Sequence, residues 1–228
     1  MGDRHQPIAG IEAVEPASLT GAQALARLQK ASSQFAAGST DAATLAAGRS
    51  IARVKQTGTE GQKPFAAVLT CADSRTPPEI FLAQGVGDLF VVRVAGNVTD
   101  TMGLASLEYA VDHLGVPLVV VMGHTRCGAV DAAVKASNVP AAKAEPGHAA
   151  ADPGNLGKLV GAIEPAVKAA AREGGSPILL AAIRQNVRQS MAQLSSRSPV
   201  LKREIDSGDL LVVGAVYDVE TGAVDWLR

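Results

Sequence analysis

Short, mostly apolar runs recur along this chain, and segments with helical spacing of apolar residues separate them. The runs cover residues 65–70, 89–94, 118–122 and 210–217, and a last short strand is predicted to end at Leu227. Runs that are apolar at nearly every position indicate strands buried on both faces, which is typical of parallel sheets. Strands alternating with helices predict an α/β fold. We therefore expect a single domain with a central, mostly parallel β-sheet flanked by helices.

The segments between and after the runs have the spacing of amphipathic helices. One of them carries an apolar stripe formed by Ile183, Val187, Met191 and Leu194. Helices are predicted over residues 77–83, 104–114, 128–136, 156–172, 176–194 and 199–208.

An N-terminal helical extension precedes the first strand. Helices are predicted over residues 22–37 and 41–54, and the first carries Leu25, Leu28 and Phe35 at near-helical spacing. This stripe has no obvious partner within its own unit. A second copy of the chain could cover it, so the stripe favours a dimer or a dimer of dimers.

Polar and glycine-rich segments mark the predicted loops and boundaries. Residues 55–63 contain two glycines and are expected to form a loop into the first strand. Residues 138–155 are rich in Ala, Pro and Gly and are expected to form a surface loop. Residues 1–21 are interpreted as a flexible leader, which leaves 22–228 as the folded domain.

Composition narrows the class of partner. The 228 residues include 47% hydrophobic and 19% charged residues, with 21 Lys and Arg against 22 Asp and Glu. This balance does not indicate a basic surface for binding nucleic acid or an anionic membrane. We therefore expect a small-molecule partner. The sequence has no membrane-spanning apolar run and no recognisable signal peptide, so we expect a cytoplasmic protein. The alternative is a periplasmic or organellar protein after removal of a targeting peptide.

The two cysteines of the chain lie where apolar runs end. Cys71 follows run 65–70, and His124 and Cys127 follow run 118–122. The carboxyl ends of parallel strands meet at one edge of a sheet, so these three side chains are expected to meet there. Two thiolates and one imidazole suit Zn²⁺, and three protein ligands leave a position open, as in catalytic zinc sites. Either cysteine alone would more often be a small buried hydrophobic residue.

Asp73 and Arg75 follow the first cysteine closely. An Asp and an Arg two residues apart in a turn can pair by hydrogen bonds, which keeps the carboxylate an acceptor at neutral pH. Beside a metal ion, such a carboxylate could accept a proton from a reacting water. Without a metal, the same pair would only stabilise a turn.

Five motifs together resemble the β-class carbonic anhydrases, from about residue 22 to the end of the chain. This resemblance implies reversible hydration of CO₂ to bicarbonate and a proton. The motifs are CADSR (71–75), GDLFVVRVAGN (87–97), SLEYAV (106–111), GHTRCG (123–128) and LVVGAVYD (211–218).

The resemblance implies a metal centre and a catalytic pair. One Zn²⁺ per chain would be held by Cys71, His124 and Cys127. Asp73 with Arg75 would orient the zinc-bound hydroxide that attacks CO₂. The family also implies a homodimer or homotetramer.

The resemblance further implies residues around the substrate. Gln62 matches a glutamine that hydrogen-bonds the substrate oxyanion, and the backbone of Gly128 borders the substrate. Phe90 and Tyr109 match aromatic residues that line the pocket across a dimer interface. His113 matches a histidine proposed to shuttle protons, although a packed or surface histidine would account for it equally well.

One position departs from a subgroup of the family. That subgroup uses a tryptophan three residues before the first cysteine to bind a second bicarbonate, and its aspartate replaces water on zinc at lower pH. Val68 stands at this position, which favours a site whose fourth position stays open.

Other functions remain compatible with these residues. A CS₂ or COS hydrolase could use the same ligands. A zinc or thiol redox sensor could use the two cysteines without turnover, although it would not need Asp73 or Arg75. A structural zinc site could take Asp73 as its fourth ligand.

Overall fold

The computed structural model of this chain describes residues 19–137 and 154–227. The leader predicted over residues 1–21 and the loop predicted over 138–155 therefore lie almost entirely outside the described residues. Within the described ranges the helices are α1 (Gly21–Ala36), α2 (Ala42–Gly48), α3 (Ile51–Glu60), α4 (Pro78–Phe81), α5 (Thr101–Glu108), α6 (Gly128–Ala136), α7 (Gly154–Arg172), α8 (Ile178–Arg197) and α9 (Pro199–Ser207). The strands are β1 (Ala66–Thr70), β2 (Leu89–Arg93), β3 (Leu118–His124), β4 (Leu211–Tyr217) and β5 (Val224–Leu227).

The five strands form one sheet in the order β2-β1-β3-β4-β5. The first four strands in this order run parallel, and β5 pairs antiparallel with β4. Every residue of β1 and of β3 is buried, which explains why these runs are apolar throughout. The predicted α/β fold with a mostly parallel sheet is confirmed.

Side chains of the central strands alternate between two hydrophobic clusters. Ala67, Leu69 and Cys71 belong to the first cluster, which packs against α5 to α9. Ala66 and Val68 belong to the second, which packs against α1 and α4. Because alternate side chains of a strand point to opposite faces, the sheet is buried on both sides. Val68 therefore faces away from Cys71.

Helix α8 approaches the sheet closely where two glycines lie. A Cβ on Gly123 would stand 2.8 Å from Val187 Cγ2, and one on Gly214 would stand 2.7 Å from Met191 Sδ. Both distances are shorter than van der Waals contact. The missing side chains of β3 and β4 thus make room for the apolar stripe of α8.

The sequence interpretation of the α1 stripe is wrong. Leu28 is fully buried, and Leu25 and Phe35 pack against the second cluster of the same chain. The stripe therefore covers the face of the sheet that α5 to α9 leave open. It gives no reason to expect a second copy of the chain.

Residues 41–60 also differ from the prediction of one helix followed by a loop. Two helices, α2 and α3, meet at Arg49, whose guanidinium donates to the carbonyls of Glu79 and Gln84 at 2.5 and 3.2 Å. Ser50 then caps α3 by accepting from Arg53 N at 3.2 Å. Helix α3 runs through Gly58 because the Ser50 cap helps to offset the low helix propensity of this single glycine.

The helix predicted over residues 104–114 is α5 followed by a wider turn. It starts earlier than predicted because the Asp100 carboxylate accepts from Gly103 N at 2.6 Å. Residues Tyr109–His113 form a π-helical turn, closed where Leu114 N donates to Tyr109 O at 3.3 Å. This turn carries the predicted pocket residue Tyr109 and the predicted proton shuttle His113.

None of the helices in the described ranges combines the length and apolar character needed to cross a membrane.

Replacing Gly214 tests the close packing of α8. We expect Gly214→Ala to lower the free energy of unfolding by about 1–3 kcal/mol, because the new methyl group would overlap Met191 and Val187. The control is Gly161→Ala in α7, where a Cβ meets nothing within 4 Å and alanine should stabilise the helix by up to about 1 kcal/mol. Urea unfolding measures both variants. Equal stability of the two variants would contradict the packing.

Candidate metal centre

Cys71, His124 and Cys127 meet at the carboxyl ends of the central strands. Cys71 directly follows β1, His124 is the last residue of β3, and Cys127 caps the N-terminus of α6. All three are buried, and their ligand atoms lie within 4.8 Å of one another. The structure thus brings together the three residues predicted as zinc ligands.

The spacing of the two sulfur atoms fits a zinc ion. Their Sγ atoms are 3.9 Å apart. Two thiolates bound to one tetrahedral ion at a Zn–S distance of about 2.3 Å would be about 3.8 Å apart. Little movement of the cysteines would therefore be needed to bind zinc.

The His124 ring offers the remaining ligand atom. Its Nδ1 lies 2.9 Å from the carbonyl oxygen of Thr125, which places the ring proton on Nδ1 because a carbonyl can only accept. The lone pair is then on Nε2, which is buried and has no hydrogen-bond partner among the described residues. Coordination of a metal ion would satisfy this nitrogen, and a backbone carbonyl on the other nitrogen is the common support of a metal-ligating histidine.

The two thiols are not equivalent. A hydrogen bond from Cys127, helped by the backbone N–H groups of Asp73 and Gly96, lowers the pKa of the Cys71 thiol to about 4 despite its burial. The neighbouring Cys71 thiolate, together with burial, raises the pKa of Cys127. The Gly96 N–H lies 3.2 Å from Cys71 Sγ. At neutral pH the two sulfur atoms therefore share one proton.

The Asp73 carboxylate lies beside the cluster and is held there by Arg75. Its Oδ1 accepts from the backbone N and the Nε of Arg75 at 2.9 and 3.0 Å, and its Oδ2 accepts from Nη2 at 2.8 Å. Oδ2 is also 3.9 Å from His124 Nε2. The Arg75 hydrogen bonds hold the pKa of Asp73 well below its usual range, although partial burial opposes them. Asp73 is thus an ionised acceptor next to the metal ligands.

Arg93 supports this turn, although no sequence motif pointed to a role for it. Its Nε donates to the carbonyl of Cys71 at 3.1 Å, and its Nη2 donates to the carbonyl of Asp73. Thr76 Oγ1 also donates to the Asp73 carbonyl, at 3.0 Å. An arginine at the end of an otherwise apolar strand was the available signal for this role. Gly96, whose N–H reaches Cys71, was also missed.

The predicted pocket residues are brought together only in part. Phe90 and Tyr109 have ring centroids 6.1 Å apart, and both pack against the hydrophobic cluster that contains Cys71. Gly128 follows Cys127, and a Cβ there would meet nothing within 4 Å, so this position borders open space. Gln62 is exposed on the segment between α3 and β1, and no contact among the described residues ties it to the cluster.

The predicted proton shuttle His113 is a buried residue. Its ring stacks on Tyr109 with centroids 5.2 Å apart. Its Nδ1 is 3.5 Å from the Asp112 carboxylate, and neither ring nitrogen has a hydrogen-bond partner in the described part of the chain. The side chain is only 7% exposed. His113 therefore packs against Tyr109, whose ring also contacts Phe90.

Comparisons with known proteins agree with this geometry. A family model described as carbonic anhydrase matches residues 66–224, which is more than half of the chain. The chain is 42% identical over 162 residues to carbonic anhydrase 2 of Mycobacterium tuberculosis, covering 71% of this chain and 73% of the relative. It is 37% identical over 170 residues to a carbonic anhydrase of Mycolicibacterium smegmatis, covering 73% and 76%.

Solved structures show the same similarity. The β-carbonic anhydrase CafA of Aspergillus fumigatus superposes with a TM-score of 0.65 at 28% identity, over 78% of this chain and 81% of that one. A tetrameric β-carbonic anhydrase of Sordaria macrospora superposes with a TM-score of 0.64 at 25% identity, over 78% and 87%.

Proton release on metal binding tests the shared proton. With one proton shared by the two thiols at neutral pH, Zn²⁺ should displace about one proton from them, and the affinity for zinc should rise about tenfold per pH unit. Zinc affinity rises with pH because only the thiolate forms of the cysteines bind the metal. Calorimetric titration of the metal-free protein with Zn²⁺, in buffers of different ionisation enthalpy, measures the number of protons released. The titration is made at about pH 6, where a zinc-bound water stays mostly protonated, and release of about two protons there would contradict the shared proton.

Proposed function

The chain belongs to the β-class carbonic anhydrase family, and we propose that Asp73 and Arg75 direct its reversible hydration of CO₂ at a zinc ion held by Cys71, His124 and Cys127. The observation that carries the proposal is the juxtaposition of a buried three-ligand cluster with an ionised carboxylate, whose Oδ2 is 3.9 Å from His124 Nε2. One Zn²⁺ per chain is proposed, with bicarbonate and a proton as products.

Each ligand group serves a separate purpose. Zinc, once bound, supplies Lewis acidity, which generates a nucleophile from water near neutral pH. The two thiolates neutralise the charge of the ion inside a buried site, and the Nδ1 contact of His124 keeps Nε2 available. Asp73 does not join the three-residue cluster because both of its oxygens accept from Arg75. This favours an open fourth position and weighs against a structural site with four protein ligands.

Asp73 is proposed to orient the attacking water. Its lowered pKa keeps the carboxylate ionised through the neutral range, so it accepts a hydrogen bond rather than donating one. A water that donates to Asp73 must turn a lone pair elsewhere, and the CO₂ carbon is the proposed target. Arg75 fixes the direction of the carboxylate, and its Nη2 is anchored to the Arg126 carbonyl at 3.2 Å.

The proposed CO₂ pocket is small and mostly apolar. Phe90 and Tyr109, whose rings lie 6.1 Å apart, are proposed to supply its aromatic wall across a dimer interface, and the backbone of Gly128 is proposed to border the substrate. Gln62 is the proposed donor to the substrate oxyanion. Because it is exposed in the single chain, it would act in the pocket of a second copy.

A homodimer or homotetramer is therefore proposed. Its support comes from an apolar surface beside the edge strand β2. Ile51 and Val54 of α3 and the nearby Val86 are 70%, 44% and 39% exposed, and Arg53 Nε donates to Val86 O at 3.0 Å, which holds α3 against this edge. Exposed apolar side chains grouped in this way are typical of protein interfaces.

His113 stays a predicted proton shuttle. A shuttle must exchange protons with bulk water, and the side chain of His113 is only 7% exposed in the single chain. Its burial against Tyr109 favours a packing role. Buffer and water are the simpler acceptors for the product proton.

Stopped-flow CO₂ hydration from about pH 6.5 to 9, with zinc content measured on the same sample, tests the proposal. Sulfide release from CS₂ and COS is measured in parallel. Zinc-dependent CO₂ turnover is expected. Sulfide release without CO₂ hydration would replace the proposed substrate, and zinc release on mild oxidation without any turnover would favour a redox sensor.

Cys71→Ala should lose zinc, because two remaining ligands hold the ion far more weakly than three. Metal analysis after gel filtration measures the zinc content, and CO₂ hydration should fall with it. The matched control is Val121→Ala, which removes buried volume from the same hydrophobic cluster without removing a ligand. Retention of both zinc and activity in Cys71→Ala would refute the site.

Asp73→Asn should keep zinc but lower kcat/KM about 10²–10⁴-fold. The neutral amide accepts a hydrogen bond from the attacking water more weakly than the ionised carboxylate does. The control is Asp88→Asn, since Asp88 also pairs with arginines, at 3.4 Å from both Arg27 and Arg53, away from the cluster. The control should retain hydration activity. Unchanged kcat/KM in Asp73→Asn would remove this residue from the mechanism.

A further inference from the structure

Helix α8 carries a polar row beside its apolar stripe. Asn186, Ser190, Gln193 and Arg197 are spaced by four, three and four residues and therefore share one face of the helix. All four hydrogen-bond the segment 96–99, which links β2 to α5. We refer to these four side chains as the α8 polar row. None of them was assigned a role by the sequence motifs.

The first two members of the row hold consecutive carbonyl groups. Asn186 Nδ2 donates to the Gly96 carbonyl at 2.6 Å, and Ser190 Oγ donates to the Asn97 carbonyl at 3.0 Å. Asn186 and Ser190 are 0% and 1% exposed. Buried polar side chains are costly unless they make such bonds, so each geometry is strongly preferred.

The last two members extend the attachment to the next turn of the segment. Thr99 Oγ1 donates to Gln193 Oε1, and Arg197 Nη1 donates to the Thr99 carbonyl. The segment is therefore held at successive points along three turns of one helix.

Gly96 connects this segment to the metal site. Its φ of +64° suits glycine, and a Cβ there would stand 2.7 Å from Ile163 Cδ1 and 3.2 Å from Ala129 Cβ. Gly96 is thus confined between helices α6, α7 and α8. Its N–H points to Cys71 Sγ at a distance of 3.2 Å.

We propose that Asn186 and Ser190 are positioning residues that hold the Gly96 N–H on the sulfur of the first zinc ligand. The inference rests on the proposed zinc site. A hydrogen bond to a thiolate withdraws charge from the sulfur, so its loss would leave a more electron-rich ligand in a less defined position. The α8 polar row thereby tunes the metal site without contacting metal or substrate.

Holding α8 against the sheet does not require these polar residues. Ile183, Val187 and Leu194 of the apolar stripe are already buried and pack in the first cluster. An apolar side chain in place of Asn186 could fill the same space. A donor to the Gly96 carbonyl fixes the peptide plane that follows Gly96. The backbone torsions of this glycine, φ +64° and ψ +20°, relate that plane to the preceding peptide, which carries the Gly96 N–H. Fixing the carbonyl therefore restrains the direction of the N–H, which an apolar side chain cannot do.

Cobalt substitution provides a readout that a merely structural role would not move. Co²⁺ replaces zinc in the wild type and in Asn186→Ala and Ser190→Ala, and the near-ultraviolet thiolate-to-cobalt charge-transfer band is recorded. Zinc affinity is measured by chelator competition. The control is Gln189→Ala on the same helix, because Gln189 Nε2 makes the same kind of bond, at 2.8 Å, to the carbonyl of Ala162 instead.

Asn186→Ala should move the band to lower energy and weaken zinc binding about tenfold, with a smaller change for Ser190→Ala and none for Gln189→Ala. An unmoved band and unchanged zinc affinity in Asn186→Ala would overturn the inference, even if thermal stability fell. If Asn186→Ala does not fold, Ser190→Ala decides alone, and a spectrum and zinc affinity equal to those of Gln189→Ala would overturn it. Failure of the wild type to bind cobalt with a thiolate band would instead refute the zinc site itself.

Discussion

The parallel pairing of β1 with β3 is the constraint on which the metal site depends. Thr70 lies opposite Met122, so Cys71 leaves β1 just before His124 ends β3. Two ligands from distant parts of the chain therefore reach the same point at the edge of the sheet. A slip of one residue would turn Cys71 to the other face, because side chains alternate across a strand. The apolar cores on both faces prevent that slip and thereby hold the ligands in register.

Burial of the ligands requires that their charges be balanced locally. The Gly96 N–H supports the Cys71 sulfur, the Thr125 carbonyl orients His124, and Arg75 neutralises Asp73. Each support comes from a loop at the carboxyl edge of the sheet. The loops are held in turn by side chains bonded to backbone carbonyls, such as Arg93 and the α8 polar row. The result is a buried cluster of three ligands with one ionised acceptor beside it, which suits chemistry on a small molecule.

Prediction from sequence worked best where one dominant force decides the local structure. Continuous apolar runs predicted the sheet because both faces are buried, and strand ends predicted the meeting of Cys71 with His124. It failed for the α1 stripe, whose partner is the chain's own sheet. It also failed over residues 41–60, where Arg49 bonds to distant carbonyls and ends α2. Residue type alone does not show which distant group will take such a bond.

The fold class and the site residues Cys71, His124 and Cys127 with the Asp73–Arg75 pair were predictable from the sequence, because they follow from periodicity and from close neighbours in the chain. The folded chain was needed to show which nitrogen of His124 is free, that His113 is buried, and that Asn186 reaches Gly96. Those features are hydrogen bonds and packing contacts set by how the folded elements come together. Their geometry exists only after the helices have packed on the sheet, because hydrogen bonds depend on distances and angles that a linear pattern does not contain.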